Sequence, residues 1–250
     1  MVAGLNPVAK LGASLLIAVP LIFTIDPVSA AVALVFELPL LMMAGLTPRQ
    51  FWLRTLPVWA AAPLAALTIA LYGAAAGEMY VQWFVVQISE GSLLLALATL
   101  FRVLAIGLPA VVLFATVDPT DLADGLAQLV RLPARFVLGA LAGMRLLGLL
   151  ADDWRSLALA RRARGVADRG RARRVLGMAF ALFVLSIRRG SALAVAMEAR
   201  GFGASRHRTW ARVSRFGTGD VLLLAAGAAI SGIAVTVAVL VGAWNPVLSG

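Results

Sequence analysis

Five long apolar stretches constrain the fold of this chain more than any other feature. They lie at about residues 11–25, 28–46, 55–76, 93–116 and 219–243. The hydrocarbon core of a bilayer is about 30 Å thick, and about 20 apolar residues in a helix cross it. Hydrophobic residues make up 62% of the chain, against about 45–50% in soluble domains. The sequence therefore predicts an all-α, polytopic membrane protein with about five transmembrane helices.

The basic residues predict which side of the membrane each loop occupies. Cytoplasmic loops carry an excess of Lys and Arg, and 18 of the 22 basic residues lie within the segment 117–218. We expect this segment and the N-terminus in the cytoplasm. The loop 77–92 holds two acidic residues and no basic ones, so we expect it outside the cell membrane. On this prediction, residues 1–116 form the first four spans, and 219–250 form the last span with a C-terminus outside.

The tripeptide Ala-Arg-Gly occurs twice within the cytoplasmic segment. Each copy closes a helix-prone pattern, over 134–164 and 172–200 respectively. Glycine just beyond a helix end commonly adopts positive φ, and a cation in the last turn is favoured by the helix dipole. We predict two long helices that form a crossed pair and display an arginine at each end for docking to other proteins. The predicted docking residues are Ala163, Arg164, Gly165, Ala199, Arg200 and Gly201.

Two stretches of the same segment, 134–151 and 177–187, are apolar enough to suggest further spans. The second is too short to cross a bilayer, and the first contains Arg145 and would invert the later topology. We therefore expect helices that lie under the membrane. Asp118 and Pro119 predict the start of a short amphipathic helix, which precedes the two long helices in the chain. The alternative for the whole segment is an arginine-rich face that meets anionic lipid head groups.

Few residues offer chemistry of their own. The chain has no cysteine and one histidine, His207, which excludes disulfides and thiolate metal sites, and we expect no metal site and no cofactor. No glycine-rich phosphate loop is present. Glu37 and Arg102 lie in predicted spans, where charges are costly. They are candidates for an intramembrane ion pair or for contact with a partner. Glu198 is expected to pair with Arg162 or Arg189, to contact a partner, or to be a surface acid.

These motifs resemble one known family. The two Ala-Arg-Gly tripeptides, the stretch Leu5-Asn6-Pro7-Val8-Ala9-Lys10 and the stretch Thr116-Val117-Asp118-Pro119 are similar to signatures of the transmembrane T component of energy-coupling factor transporters. That family is a branch of the ABC transporters and imports vitamins and transition-metal ions. The resemblance runs from about residue 5 to the last apolar stretch.

The resemblance implies a non-catalytic subunit in the cell membrane. Its expected partners are two cytoplasmic ATPase subunits, which the two arginines would contact, a membrane-embedded substrate-binding S component, and the lipid bilayer, but no nucleic acid. The imported solute stays open between biotin, cobalt, nickel and other vitamins. We expect the S component to meet an apolar surface of the long helices; the alternative is that the residues of this surface pack only against the chain's own spans. The residues expected there are Leu141, Leu146, Leu149, Phe180 and Phe183.

Two other functions are compatible with the residues. The first is a membrane anchor with a basic, lipid-binding insert. The second is an intramembrane enzyme, which would need clustered carboxylates, histidines or a nucleophile at one depth. The predicted spans offer only Glu37 and Arg102 for this purpose.

Overall fold

A computed structural model describes most of the chain as helices. The described residues are 4–73, 76–83, 86–165, 170–203 and 209–245. The helices are α1 (Pro7–Ile22), α2 (Pro27–Met42), α3 (Pro48–Tyr72), α4 (Glu90–Phe114), α5 (Pro119–Gln128), α6 (Ala134–Ala163), α7 (Arg171–Ala199) and α8 (Thr218–Leu240). Strands β1 (Met79–Trp83) and β2 (Val86–Ser89) lie between α3 and α4. The predicted all-α membrane fold is confirmed.

The chain divides into two compact units. The bundle unit comprises Met1–Leu122 and Ser214–Gly250, and the helix-pair unit comprises Ala123–Val213. The bundle unit contains α1 to α4 and α8, while the helix-pair unit contains α6 and α7. Helix α5 begins in the first unit and ends in the second.

The first three helices begin with the same local motif, a polar N-cap residue followed by proline. Asn6, Asp26 and Thr47 each accept a hydrogen bond from a backbone N–H in the first turn, and each is followed by a proline. A polar N-cap satisfies an unpaired donor, and proline at the first position has no N–H to satisfy. These local signals start α2 near its predicted boundary, but they start α1 and α3 four and seven residues before the expected spans.

Small residues let the helices of the bundle unit pack closely. A Cβ added at Gly227 of α8 would lie 3.0 Å from the carbonyl oxygen of Ala13 in α1, and one at Gly12 would lie 2.7 Å from Leu224. Close approach at small residues is a common way for apolar helices to associate. One core cluster joins α1, α2, α4 and α8 through Ile17, Leu21, Ala33, Ala105, Ile230 and Ala234.

Five of the described helices are long and apolar enough to cross a membrane, but they are not the five expected. They are α3, α4, α6, α7 and α8. The first two predicted spans form the shorter helices α1 and α2, of 16 residues each, or about 24 Å at 1.5 Å per residue. The placement of α6 and α7 under the membrane stays a prediction.

The loop expected at 77–92 is more ordered than predicted. Strands β1 and β2 form an antiparallel hairpin in which Met79 lies opposite Ser89 and Gln82 opposite Gln87. Tyr, Val, Trp and Ile in this stretch favour strands. Helix α4 begins at Glu90, where Ser89 and Ser92 form a capping box, so it starts three residues before the predicted span.

Candidate docking site on the helix pair

The two Ala-Arg-Gly tripeptides form nearly identical helix ends. Arg164 caps α6 with φ −88° and ψ 2°, and Arg200 caps α7 with φ −88° and ψ 9°. The following glycines, Gly165 and Gly201, have φ of 67° and 73°. A residue with a Cβ would be strained in this left-handed conformation by about 1–2 kcal/mol. The repeated sequence therefore specifies one backbone shape at both places.

Backbone hydrogen bonds close both helix ends. The Gly165 N–H donates to the Arg162 carbonyl at 3.0 Å, and the Gly201 N–H donates to the Glu198 carbonyl at 2.9 Å. At the end of α7 the Phe202 N–H also donates to the Met197 carbonyl at 3.0 Å, which completes a Schellman motif. The ends are thus built to stop the helix abruptly and to leave the arginine at the tip.

Both tips are open surfaces. All six residues of the two tripeptides are exposed, and a Cβ at Gly165 or Gly201 would meet no atom within 4 Å. Within the described residues, neither Arg164 nor Arg200 takes part in a salt bridge. The glycines are required by backbone conformation and not by crowding. Each tip offers a guanidinium with five donors that can pair with carboxylates or carbonyl oxygens.

One ion pair joins the two long helices. The two terminal nitrogens of Arg189 on α7, Nη1 and Nη2, donate to the two carboxylate oxygens of Asp153 on α6, and the Nη2–Oδ1 distance is 3.1 Å. Near the end of α6, Arg161 lies 3.3 Å from the position of a Cβ on Gly177, close to the start of α7. The helices therefore run in opposite directions, and Arg164 and Arg200 lie at opposite ends of the pair.

A largely apolar groove of about 560 Å³ lies between α6 and α7. Three of the residues expected to meet the S component, Leu141, Leu146 and Leu149, line this groove. Phe180 and Phe183 do not line it, but they lie on α7 and are 69% and 61% exposed. The remaining lining residues are Leu138, Ala142, Arg145, Arg189, Leu193, Met197 and Phe202.

The predicted Glu37–Arg102 ion pair is not present. Glu37 is fully buried, but among the described residues neither of its carboxylate oxygens has a hydrogen-bond partner, and Nε and Nη2 of Arg102 lack one as well. Ala33 and Ala105 share a core cluster, with Arg102 three residues before Ala105 and Glu37 four residues after Ala33. Since α2 and α4 run in the same direction, the two side chains diverge along the helix axes.

Of the alternatives for Glu198, pairing with Arg162 or Arg189 is not found among the described residues, and an exposed surface acid agrees with the structure. Arg189 pairs with Asp153 instead, and Glu198 is exposed and forms no salt bridge within the part of the chain that the structure describes. The reason is geometric, because Glu198 lies one residue before the C-terminus of α7, far along the helix from Arg189. The Asp153–Arg189 ion pair between the two helices was not predicted from the sequence. These two residues are 36 positions apart, as the two tripeptides are.

The N-terminal stretch forms hydrogen bonds with two distant parts of the bundle unit. The Lys10 ammonium donates to the Thr116 hydroxyl at 2.9 Å and to its carbonyl at 3.2 Å. The Asn6 backbone N–H donates to Asp220 at 2.7 Å, and its side chain donates to the Arg215 carbonyl at 2.8 Å. Thr116 follows α4 and Arg215 precedes α8, so one short stretch connects the end of α4 with the start of α8 within the bundle unit.

The structure adds no evidence for chemistry at a metal. Among the described residues, no group of three or more His, Cys, Asp or Glu side chains could hold an ion. His207 lies outside the described residues.

Comparison with known proteins agrees with the membrane fold. The family model described as CbiQ, cobalt transport protein, matches residues 1–210. The energy-coupling factor transporter transmembrane protein EcfT of Limosilactobacillus fermentum is 30% identical over 71% of this chain and 70% of its own. The protein of the same name from Bacillus selenitireducens is 28% identical over 88% of this chain and 87% of its own.

A third relative gives the same result. The EcfT of Lactococcus lactis is 33% identical over 57% of this chain and 58% of its own length. The family match covers most of the chain, including both tripeptides and the ion pair between the long helices. This protein is therefore a multi-pass membrane protein that belongs to the CbiQ family.

Proposed function

We propose that this chain is the transmembrane coupling subunit of an ATP-driven, energy-coupling factor type importer. In this role it is not an enzyme itself, since ATP hydrolysis resides in two separate cytoplasmic subunits. The relatives named energy-coupling factor transporter transmembrane protein EcfT support this class of transporter. The observation that carries the proposal is the pair of matched, exposed helix ends at opposite ends of one antiparallel helix pair.

Each motif arginine docks one ATPase subunit. Arg164 and Arg200 have the same cap geometry, so each tip presents the same recognition element, and two copies of one element suit two similar subunits. A guanidinium fork forms bidentate, charge-assisted hydrogen bonds with high geometric specificity. Ala163 and Ala199 beside them are exposed, and their short side chains leave room for a flat contact.

The apolar surface of the helix pair contacts the S component. Many large apolar side chains on α6 and α7 are exposed, among them Leu147 at 66% and Leu176 at 70%. A surface of this kind marks an interaction site or a membrane contact. The S component selects the solute, which we place in the class of vitamins or transition-metal ions. The N-terminus and the helix-pair unit face the cytoplasm in this proposal, where the ATPases are.

Charge reversal at both tips tests the proposal. In Arg164→Glu combined with Arg200→Glu, each carboxylate of the partner would face a like charge. Leaving a buried charge unpaired costs about 3–5 kcal/mol, which is a loss of at least about a hundredfold in affinity at each tip. Co-purification of the ATPases with this double variant should be abolished.

A matched control makes the same change in net charge. Arg155 on α6 and Arg188 on α7 are exposed, and they lie nine and twelve residues before the tip arginine of their own helix. The variant Arg155→Glu with Arg188→Glu should retain the ATPases and transport. If the Arg164/Arg200 double variant retains normal ATPase binding and solute uptake, the docking proposal is wrong.

A further inference from the structure

The Asp153–Arg189 ion pair matches the spacing of the two docking tips. Asp153 lies eleven residues before Arg164 on α6, and Arg189 lies eleven residues before Arg200 on α7. Eleven residues make about three helical turns, so each member of the ion pair lies close to the same side of its helix as the arginine at the tip. We propose that this ion pair is the positioning element that sets the separation of Arg164 and Arg200.

The geometry makes the pair a pivot. Eleven residues at 1.5 Å per residue form an arm of about 16 Å from the pair to each tip. The helices run in opposite directions, so the two arms extend away from the pair on opposite sides. A rotation of about 10° at the pair would move each tip by about 3 Å over such an arm. A small change in how the two helices cross is therefore converted into a shift at both tips.

Other contacts between the helices are poorly suited to this role. The groove beside the pair is lined mainly by Leu, Ala, Met and Phe, and apolar contacts are not directional. Helix α6 buries only Val137 among its described side chains. A bidentate arginine–carboxylate pair, in contrast, fixes both a distance and a plane. The pair is also half-buried, with 36% of the Arg189 side chain and 21% of the Asp153 side chain exposed.

A neighbouring ion pair provides the matched control. Asp152 pairs with Arg155 within α6 at 3.5 Å, and their side chains are 71% and 78% exposed. This pair has the same charges one residue away, but it does not bridge to α7. Arg188 is the corresponding neighbour of Arg189 on α7 and is exposed. Changes at Asp152 or Arg188 alter the same charge without touching the pivot.

A distance measurement on the full chain tests the inference directly. The chain has no cysteine, so Ala160→Cys and Ala196→Cys, four residues before each tip arginine and both exposed, can carry spin labels. In lipid nanodiscs, the labels should give one narrow distance distribution, unchanged by Asp152→Asn or Arg188→Gln. Asp153→Asn, which is nearly isosteric, should shift or broaden it by about 2 Å, the displacement that a rotation of about 10° gives over the arm of about 10 Å from the pair to each label.

Arg189→Gln should have the same effect, and the swap Asp153→Arg with Arg189→Asp should restore the narrow distribution. A narrow distribution in the swap variant, together with unchanged distributions in the controls, would show that pairing between positions 153 and 189 sets the distance. If both single variants keep the distribution of the unmodified chain, the inference is overturned.

The second part of the test uses the assembled transporter, because the inference rests on the proposed function. Asp153→Asn leaves both tip arginines intact, so the ATPases should still co-purify, while solute transported per ATP hydrolysed should fall at least threefold. Shifted distances with unchanged coupling would also overturn the inference. If instead the Arg164/Arg200 double variant keeps its ATPases, the proposed function fails, whatever the distance measurement shows.

Discussion

Removing Asp220 should destabilise the start of α8 and its contact with the N-terminal stretch of the bundle unit. Asp220 is 5% exposed. One of its carboxylate oxygens accepts the Asn6 N–H at 2.7 Å, and the other accepts the Gly217 N–H at 2.8 Å, which caps α8. Its charge also acts favourably on the Lys10 ammonium. Asp220→Ala removes all three interactions at once.

The expected loss follows from these contacts. Leaving the buried Asn6 N–H without an acceptor costs about 1–3 kcal/mol, and removing the cap of α8 costs about 1 kcal/mol. The free energy of unfolding of Asp220→Ala should therefore fall by about 2–4 kcal/mol. Asp220→Asn keeps one acceptor oxygen and should lose about half as much.

Equilibrium unfolding in mixed micelles measures the loss, and hydrogen exchange at the Asn6 and Gly217 amides shows whether it is local. Asp152→Ala, at an exposed carboxylate of α6, serves as the control and should change stability by less than about 0.5 kcal/mol. If Asp220→Ala is as stable as this control, the hydrogen bonds of Asp220 with Asn6 and Gly217 do not contribute the stability deduced for them.

Two further predictions concern the tips and the topology. Gly201→Ala should destabilise the end of α7 by about 1–2 kcal/mol and speed exchange of the Phe202 amide. Gly190→Ala, at a helical glycine whose added Cβ meets nothing within 4 Å, should be neutral or stabilising; equal effects of the two variants would contradict the assigned cap. Tyr80→Cys, at a side chain 59% exposed, should react with an impermeant thiol reagent added outside intact cells. Ser156→Cys in α6 should not, and labelling there would contradict the cytoplasmic placement of the helix pair.

Local signals in the sequence predicted the ends of the two long helices. Glycine marked the ends of α6 and α7, because a residue at this position acts within one turn of the backbone. The polar residue and proline that start α1 and α3 were not used, so both helices begin before the spans expected from 11 and 55. The C-terminal boundary predicted for α2 was less accurate. The apolar pattern continues to residue 46, but α2 ends at Met42, shortly after Pro39. Hydropathy alone does not register this stop.

Interactions across helices were harder to predict. Glu37 and Arg102 were grouped because both lie within predicted spans. Which side chains pair depends on the direction and rotation of the helices, and the apolar pattern does not encode these. Asp153 lies in a helix with many charged residues, so nothing in its local sequence distinguishes it from Asp152. The structure offers no partner for the buried Glu37 carboxylate within the described residues, and nothing in it explains this acidic side chain.

The sequence drew attention to the N-terminal stretch, but it did not predict the hydrogen bonds that this stretch forms. Lys10 and the preceding Asn6 belong to a stretch similar to a family signature, but Lys10 was expected simply at a cytoplasmic helix end. In the structure it is 1% exposed and bonded to Thr116. Burial of a lysine needs specific acceptors, and those come from residues more than a hundred positions away in the chain.

Site-specific cross-linking tests the central claim most directly, because it leaves both tip arginines in place. Ala163→Cys and Ala199→Cys place a thiol beside Arg164 and Arg200 in a chain without other cysteines. Each single variant, in the assembled transporter, should capture one ATPase subunit with a short bifunctional reagent, whereas Ala151→Cys, exposed in the middle of α6, should capture none. Failure of both tip positions to capture an ATPase in a complex that still contains the ATPases would contradict the assignment of the two helix ends as the docking sites.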